Sequence, residues 1–443
     1  MKTKGMKSQE SMFACEASPA FAQDSQPKNE SVKYGFTRRL KMFSITKKCL
    51  TCALFSFLFL ALCRPAHGIA GAPGTLCFDN DTPNHSADLY YLGQDGNLWA
   101  YQSGAPVQVT GLVKQGPAPQ STGIACYVNT IYNGNEVFYL TNVGGKFHIE
   151  QLYGSTFYPT DLTVAAGAIP VASGSPLVGY IDSVAKTDNV FFIGTDNFVH
   201  VLTWSAGKAW HEDTTLDNKS RPAASTSSGL SGHIRNATNS SQEIFYVGTN
   251  AHVYELWRWS SIDAWNWTDV TKDSGSNAVA ESGSPLASGY DTVGNTDMVF
   301  YLSANQDVDA LLFSTSGRWS GIDLTANTGG AKAASNSALN AVMHQEDGGI
   351  HSVYFEDPNQ TVRSFYGVSQ WPDTWIVGDI DPFQTYLKGT PQAIEPVYGA
   401  NAGDDDAYVF GPNSSGTCDL YFVNSTGDTD ITAYWGGTAP LCP

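Results

Sequence analysis

The chain has 443 residues, 42% of them hydrophobic, so it can bury a large core. It holds 24 Lys and Arg against 42 Asp and Glu, for a net charge of −18. That balance excludes nucleic acid and anionic membranes as expected partners, because phosphate neutralisation needs clustered cations. Only 15% of residues are charged, while 43 glycines accompany 22 Phe, 21 Tyr and 11 Trp. Such a composition suits short strands joined by tight turns rather than long charged helices.

Residues 1–41 are polar, mixed and without periodicity, and read as a leader ahead of the natural start or as a mis-assigned beginning. Residues 42–68 have the three parts of a secretory signal: Lys47 and Lys48, an apolar run from about Leu50 to Cys63, and a small-residue region ending at Gly68. An uncleaved N-terminal anchor is the alternative reading. The apolar run is short for a membrane span, and no membrane insertion is expected once it is removed. The first 68 residues hold 11 Lys and Arg and 4 Asp and Glu, so the remainder, residues 69–443, carries −25. Self-repulsion on that scale favours a soluble, secreted monomer.

Four cysteines remain after residue 68: Cys77, Cys126, Cys418 and Cys442. An even number in an exported chain implies disulfides. Two arrangements are open, Cys77–Cys126 with Cys418–Cys442, or a Cys77–Cys442 staple between the ends.

From Asp88 onward one phrase recurs: DLYYLGQDGNLWAY, then EVFYLTNVGGKFHIEQLY, NVFFIGTDNFVHVLTW, EIFYVGTNAHVYELWRW, MVFYLSANQDVDALLF, SVYFEDPNQTVRSFY and AYVFGPNSSGTCDLYF. Its anchor positions are Tyr91, Tyr139, Phe192, Tyr246, Tyr301, Phe355 and Val409, at spacings of 48, 53, 54, 55, 54 and 54 residues. Two apolar segments around a Gly, Asp or Asn turn predict a β-hairpin. A phrase running from Trp to Asp-Leu-Thr follows, as in Trp319 to Thr325, and predicts another short strand. A small-residue turn and a phrase such as SGSPLASGY, ending at Tyr290, predict one more. Four strands in about 54 residues make one propeller blade. No stretch keeps a helical period long enough to predict a substantial helix.

The expected fold is all-β, a single seven-bladed β-propeller of four-stranded blades over residues 69–443. Six blades plus a divergent terminal sheet is the alternative, and a solenoid would need caps that the sequence lacks. The phrase TAPLC near residue 441 resembles the one that opens each blade, so ring closure by pairing both chain ends in one blade is expected.

The repeat, GTD followed by VHxLxW and then Trp to Asp-Leu-Thr, resembles that of the fucose-specific lectin family and of bacterial propellers with GTDGHVHELYW-type repeats. The resemblance spans Gly74 to Cys442. It implies a non-catalytic sugar-binding propeller with several sites in the clefts between blades, each using an Arg-Glu pair on the second hairpin strand together with aromatic rings. The Glu position carries over to Glu255 and Glu150, and loosely to Asp419. Its counterparts elsewhere are Ala100, Val201, Ala310 and Ser364. The Arg position is kept in no unit. Tyr254 stands beside Glu255, Ile149 stands beside Glu150, and Arg363 lacks an acidic neighbour.

Sugar recognition needs an aromatic face against the C–H face of the ring and a few polar groups on its hydroxyls. The fourth unit is richest, with Tyr254, Glu255, Trp257, Trp259, Trp265 and Trp267. Alternation puts Glu255, Trp257 and Trp259 on one side of their strand. Other candidates are His148 and Glu150, then His200, Trp204 and Trp210, then Trp319. Packing between blades competes for Trp210, Trp265, Trp319 and Trp375, and the recurring Asp of Asp-Leu-Thr fits a turn hydrogen bond.

The nine histidines show no metal-ligand spacing, and His233, His344 and His351 fall near expected loops. No GxSxG, HExxH, P-loop or dinucleotide fingerprint is present, so neither metal, cofactor nor catalysis is expected. Asp404 to Asp406 read as a solvated loop, with weak calcium binding as the alternative. The expected partners are glycans, fucosylated ones among them. The rival readings are a protein-binding scaffold of the cell envelope or extracellular space, and a propeller glycosidase or lyase.

Overall fold

The structure is a computed structural model. It describes residues 76–79, 88–93, 97–102, 105–109, 123–132, 134–154, 158–216, 220–236, 241–260, 263–335, 337–344, 349–368, 371–379, 393–398, 405–412, 418–424 and 427–430. The leader, the signal segment, Asp404 and Cys442 lie outside these residues, as does the side chain of Cys418. Among the described residues no helix is long and apolar enough to cross a membrane.

The described strands form seven antiparallel four-stranded sheets. Sheet 1 contains β1 (Leu76–Asp79), β2 (Asp88–Leu92), β3 (Leu98–Gln102) and β4 (Ala105–Gln108). Sheet 2 contains β5 (Ile124–Asn129), β6 (Gly134–Val143), β7 (Lys146–Tyr153) and β8 (Tyr158–Asp161). Sheet 3 has β9 (Val178–Asp182), β10 (Thr187–Ile193), β11 (Val199–Ser205) and β12 (His211–Glu212). Sheet 4 has β13 (Leu230–Asn236), β14 (Ser241–Val247), β15 (Val253–Arg258) and β16 (Asn266–Asp269). Sheet 5 follows with β17 (Leu286–Asp291), β18 (Thr296–Leu302), β19 (Val308–Phe313) and β20 (Trp319–Asp323). Sheet 6 has β21 (Leu339–His344), β22 (Ile350–Glu356), β23 (Val362–Val368) and β24 (Trp371–Asp379). Sheet 7 has β25 (Ala393–Tyr398), β26 (Asp405–Pro412), β27 (Cys418–Asn424) and β28 (Gly427–Asp430).

Each first strand lies against the first strand of the next sheet, and β25 lies against β1. The sheets therefore stand in a closed ring. Every described sheet is built from consecutive strands, and the TAPLC phrase expected to pair with the first blade lies outside the described residues.

Both faces of a sheet in such a ring are covered by neighbours. The second strands accordingly carry unbroken buried runs, such as Val137 to Leu140 and Ile244 to Val247, rather than alternating ones. One aromatic pair recurs between neighbouring sheets. Phe138 meets Trp210 edge-on at 6.1 Å, Phe191 meets Trp265 at 5.7 Å, Phe245 meets Trp319 at 5.9 Å and Phe300 meets Trp375 at 5.8 Å. This is the inter-blade packing that competed with ligand contact for these tryptophans.

Polar groups repeat as well. Asp161, Asp269 and Asp323 cap the short helices α1 (Leu162–Ala166), α2 (Val270–Asp273) and α3 (Leu324–Thr328), each accepting from a backbone N–H three residues on. The following Thr163, Thr271 and Thr325 accept from the N–H of Ile149, Val253 and Val308 at 2.9 to 3.0 Å. The Asp-Leu-Thr phrase therefore ties the outer strand to the hairpin. Cys77 and Cys126 form a disulfide that joins β1 to β5.

A further polar contact crosses four successive seams, from the first strand of one sheet to the residue near the start of the second strand in the next. Asp188 accepts from the Tyr127 hydroxyl and from Asn129 Nδ2. Gln242 accepts from the Tyr180 hydroxyl at 3.2 Å and donates to Asp182 at 2.8 Å. Asp297 faces His233 at 3.4 Å and Arg235 at 3.1 Å. His351 faces Asp291 at 4.0 Å.

Candidate functional site

Between sheets 4 and 5 lies a cavity of about 480 Å³. Its lining includes Glu243 on β14, Glu255 and Trp257 on β15, Trp259 just beyond that strand, Arg235 on β13, and Phe313, Arg318 and Trp319 from sheet 5. Alternation accounts for the set. Glu243 pairs with Trp257 and Phe245 with Glu255, so both acids and Trp257 share one face of the sheet.

Arg235 organises the cavity. Its guanidinium lies 5.4 Å from the Trp259 ring centre and 4.9 Å from that of Phe313. It also meets Asp297 at 3.1 Å and Glu243 at 3.6 Å. Trp257 and Trp259 meet edge-to-face at 5.2 Å, and the Trp257 indole N–H donates to Thr268 Oγ1 at 3.0 Å. Trp259 is 52% exposed, whereas Glu255 is 6% exposed. Burial, then the Glu243 and Asp297 carboxylates, push the Glu255 carboxyl well above the ordinary range, despite Arg235. Burial and then Glu243 push Asp297 up to about 7. Burial disfavours the His233 imidazolium, but Asp297 and Glu243 outweigh it and push its pKa up to about 9. The cavity therefore combines a fixed cation, a buried acid whose hold on its proton is strengthened by burial and by its acidic neighbours, and three indole rings.

Four sequence candidates, Glu255, Trp257, Trp259 and Trp319, meet here. The others lie elsewhere. Tyr254 is on the opposite face of β15, stacked on Tyr246 at 5.5 Å, with its hydroxyl accepting from Asn250 at 2.9 Å. Trp265 is buried between Phe191 and the Arg258 guanidinium, 4.6 Å from its ring centre. Trp210 is buried against Phe138. His200 is held by Asp196 at 2.9 Å and Glu212 at 2.6 Å. Trp204 meets Tyr132 edge-on at 4.8 Å. His148 pairs with Asp161 at 2.9 Å, and Glu150 is buried in sheet 2, where burial and then Asp161 push its pKa up to about 7.

The strand registers also correct one equivalence. Glu150 stands opposite Tyr139, while Tyr254, not Glu255, stands opposite Tyr246. The true counterpart of Glu255 is Gln151, because the β6–β7 hairpin is three residues longer from anchor to partner (Tyr139 to Glu150) than the β14–β15 hairpin (Tyr246 to Tyr254). Asp419 is likewise displaced, since Tyr421 stands opposite Val409. His233, His344 and His351 lie in strands β13, β21 and β22 rather than in loops.

Sequence reasoning missed Arg235, Glu243, Asp297 and Phe313. An Arg is present after all, but it comes from the first strand instead of the hairpin. Its only sequence signal is its place two residues beyond His233 in the strand-opening phrase.

The equivalent clefts differ. Between sheets 2 and 3, Asn129 replaces Arg235, Gln151 replaces Glu255, and Tyr153 replaces Trp257, while Glu136 and Asp188 keep the two acids. Between sheets 3 and 4, Arg258 occupies the place of Phe313, donating to Gln242 at 2.9 Å and meeting Asp213 at 3.2 Å.

No family model matches the sequence, and no curated protein matches it. Solved structures do. The BP39L lectin from Burkholderia pseudomallei is 15% identical, with a TM-score of 0.57 over 83% of this chain and 99% of its own. The SapL1 lectin in complex with α-methyl fucoside is 15% identical, with a TM-score of 0.47 over 75% of this chain and 99% of its own. The Aleuria aurantia lectin in complex with α-methyl-L-fucoside is 14% identical, with a TM-score of 0.45 over 72% of this chain and 95% of its own. Another structure of the Aleuria lectin is described as a six-bladed β-propeller. The likeness to BP39L shows a shared fold, an all-β propeller of four-stranded sheets.

Proposed function

We propose that the protein is a secreted, non-catalytic lectin, folded as a single seven-bladed β-propeller, that binds carbohydrate in clefts between blades. One observation carries the reading: Arg235, Glu255, Trp257 and Trp259 converge on a cavity of about 480 Å³. That volume suits one or two sugar residues, within the range of small-ligand sites. The Trp259 face offers a stacking surface for ring C–H groups. Arg235 donates in a fixed fork to hydroxyl oxygens, and the Glu255 carboxyl offers a further polar group to the same hydroxyls. The cleft between sheets 2 and 3, with its Gln and Tyr replacements, is a second and weaker site of the same plan, so binding on a glycan-coated surface gains from avidity. The Cys77–Cys126 disulfide supports an oxidising compartment.

A glycan array with the purified protein tests this reading, with Glu255→Ala and Arg235→Ala alongside. The resemblance of the repeat puts fucosylated glycans first in the panel. Binding to one sugar class, lost in both variants, is the expected result. A folded protein that binds no glycan would overturn the proposal and leave the scaffold reading. Binding untouched by either change would move the site away from this cavity.

A further inference from the structure

We propose that His233, Glu243 and Asp297 form a divalent-metal site at the seam between sheets 4 and 5, of a ligand type that suits zinc. The inference stands apart from the sugar reading, because it rests on how three buried side chains face one another.

His233 Nε2 points between two carboxylates. Glu243 Oε2 is 3.5 Å away and Asp297 Oδ1 is 3.4 Å away. These separations are long for hydrogen bonds from an imidazole, which fall at about 2.7–3.2 Å. The same chain shows what its His–carboxylate hydrogen bonds look like: His148–Asp161 at 2.9 Å, His200–Glu212 at 2.6 Å and His252–Asp269 at 2.9 Å. The wider spacing fits another geometry. Ligands bound to tetrahedral zinc at about 2.0–2.1 Å stand roughly 3.3–3.4 Å from each other. All three ligand atoms here lie within 4.8 Å of one another.

The surroundings match a metal's outer shell. Each carboxylate turns one oxygen toward His233 and the other toward Arg235, with Asp297 Oδ2 3.1 Å from Nε and Glu243 Oε1 3.6 Å from Nη1. The second ring nitrogen, His233 Nδ1, meets Ser288 Oγ at 3.2 Å, which fixes the ring with Nε2 facing the acids. All three residues are buried, at 4%, 2% and 0% exposure, and Glu243 Oε2 has no hydrogen-bond partner. An orphaned buried carboxylate oxygen aimed at the centre of the cluster is costly unless something meets it there.

One imidazole nitrogen and two carboxylate oxygens form a borderline ligand set. Calcium would want six to eight oxygens, which this seam does not supply. The other seams lack the set: Asp188 meets Tyr127 and Asn129, and His351 faces a single carboxylate, Asp291. Among the described residues this is the one such cluster. Metal entry displaces the imidazole proton and leaves Arg235 to balance the outer oxygens.

The test uses the purified full chain, stripped with chelator and then exposed to Zn²⁺ or Co²⁺. After dialysis, one retained metal equivalent per chain is expected by mass spectrometry of the elements. A tetrahedral visible band with Co²⁺ and a rise in melting temperature with Zn²⁺ should accompany it. Glu243→Gln and Asp297→Asn keep side-chain shape and should each weaken Zn²⁺ affinity by more than about tenfold, with Ser288→Ala weakening it about tenfold through ring orientation. Wild-type protein that retains no metal, shows no Co²⁺ band and gains no thermal stability would overturn the proposal. A protonated His233 ring by ¹⁵N NMR in the presence of Zn²⁺ would do the same, and needs no variant. Equal retention by the Gln and Asn variants would place the ion elsewhere and also overturn it.

Discussion

Three tryptophans line the cavity, and replacing two of them, Trp319 and Trp259, should have opposite consequences. Trp319 is 8% exposed and sits edge-on to Phe245 at 5.9 Å and tilted against Phe313 at 5.4 Å, which joins sheets 4 and 5. A buried Trp removes roughly 150–250 Å² from water, about 4–6 kcal/mol at 25 cal/mol per Å². Partial collapse of the site brings Trp319→Ala to about 3–5 kcal/mol of lost stability. Trp259 is 52% exposed and its main partners are Trp257 and the Arg235 guanidinium. Its loss forfeits an exposed cation–π contact, so Trp259→Ala should change stability by no more than about 1 kcal/mol. If the cavity binds sugar, removing that exposed ring weakens affinity about tenfold, or 1.4 kcal/mol. Urea denaturation followed by fluorescence, paired with titration calorimetry on a glycan identified by the array, separates the two effects. A Trp319→Ala protein as stable as wild type would refute the packing argument. A Trp259→Ala protein with unaltered glycan affinity would refute the role of its exposed face.

Three further predictions concern stability. Glu356 is fully buried, neither of its carboxylate oxygens has a hydrogen-bond partner, and burial followed by the neighbouring Asp357 pushes its pKa up to about 9. The folded state therefore holds this proton after the unfolded chain has lost it, and stability falls as pH rises from about 5 toward 9, by up to about 1.4 kcal/mol per pH unit. Glu356→Gln should flatten that slope and stabilise the protein at pH 8 while changing little at pH 5; parallel pH profiles would refute the assignment. Ala251 occupies a hairpin turn at φ 64°, where an L side chain is strained, so Ala251→Gly should gain about 0.5–1 kcal/mol in denaturant melts, and a loss would count against it. The Cys77–Cys126 bridge closes a loop with a sequence separation of 49, and Cys126→Ser should lower stability by about 2–4 kcal/mol, measured against the oxidised wild type.

Much of the architecture is written in the recurring hairpin phrase, because a strand buried on both faces must be apolar at nearly every position, and seven such runs stand out. The roles of Asp161, Asp269 and Asp323 were equally legible, since a capping Asp followed by Leu-Thr acts locally. The site was legible in half. Glu255, Trp257 and Trp259 belong to one strand and a short extension, and alternation alone groups them. Arg235 and Asp297 come from other strands, and Asp297 from another sheet, so their meeting depends on how the sheets dock, which no single repeat encodes. Glu150 was misplaced for a different reason. An odd difference in hairpin length, here three residues, moves a side chain to the opposite face, and register by repeat count does not detect it.

The polar contacts across the seams have a consequence for how the chain finds its order. Repeats of similar sequence could dock out of turn, and apolar packing alone would tolerate the exchange. Here the residue presented at successive seams is Asp188, Gln242, Asp297 and His351, and the residues that meet them change in step. If sheet 4 met sheet 6, His233 and Arg235 would confront His351 in place of Asp297, and of their two carboxylate partners only Glu243 of sheet 4 would remain among three basic groups. If sheet 2 met sheet 4, Tyr127 and Asn129 would face Gln242, and Asp188 would be left buried without their donors. Each of these four boundaries thus acts as an address suited to the next sheet in sequence, so the linear order of sheets 2 to 6 is kept by mismatch as well as by fit.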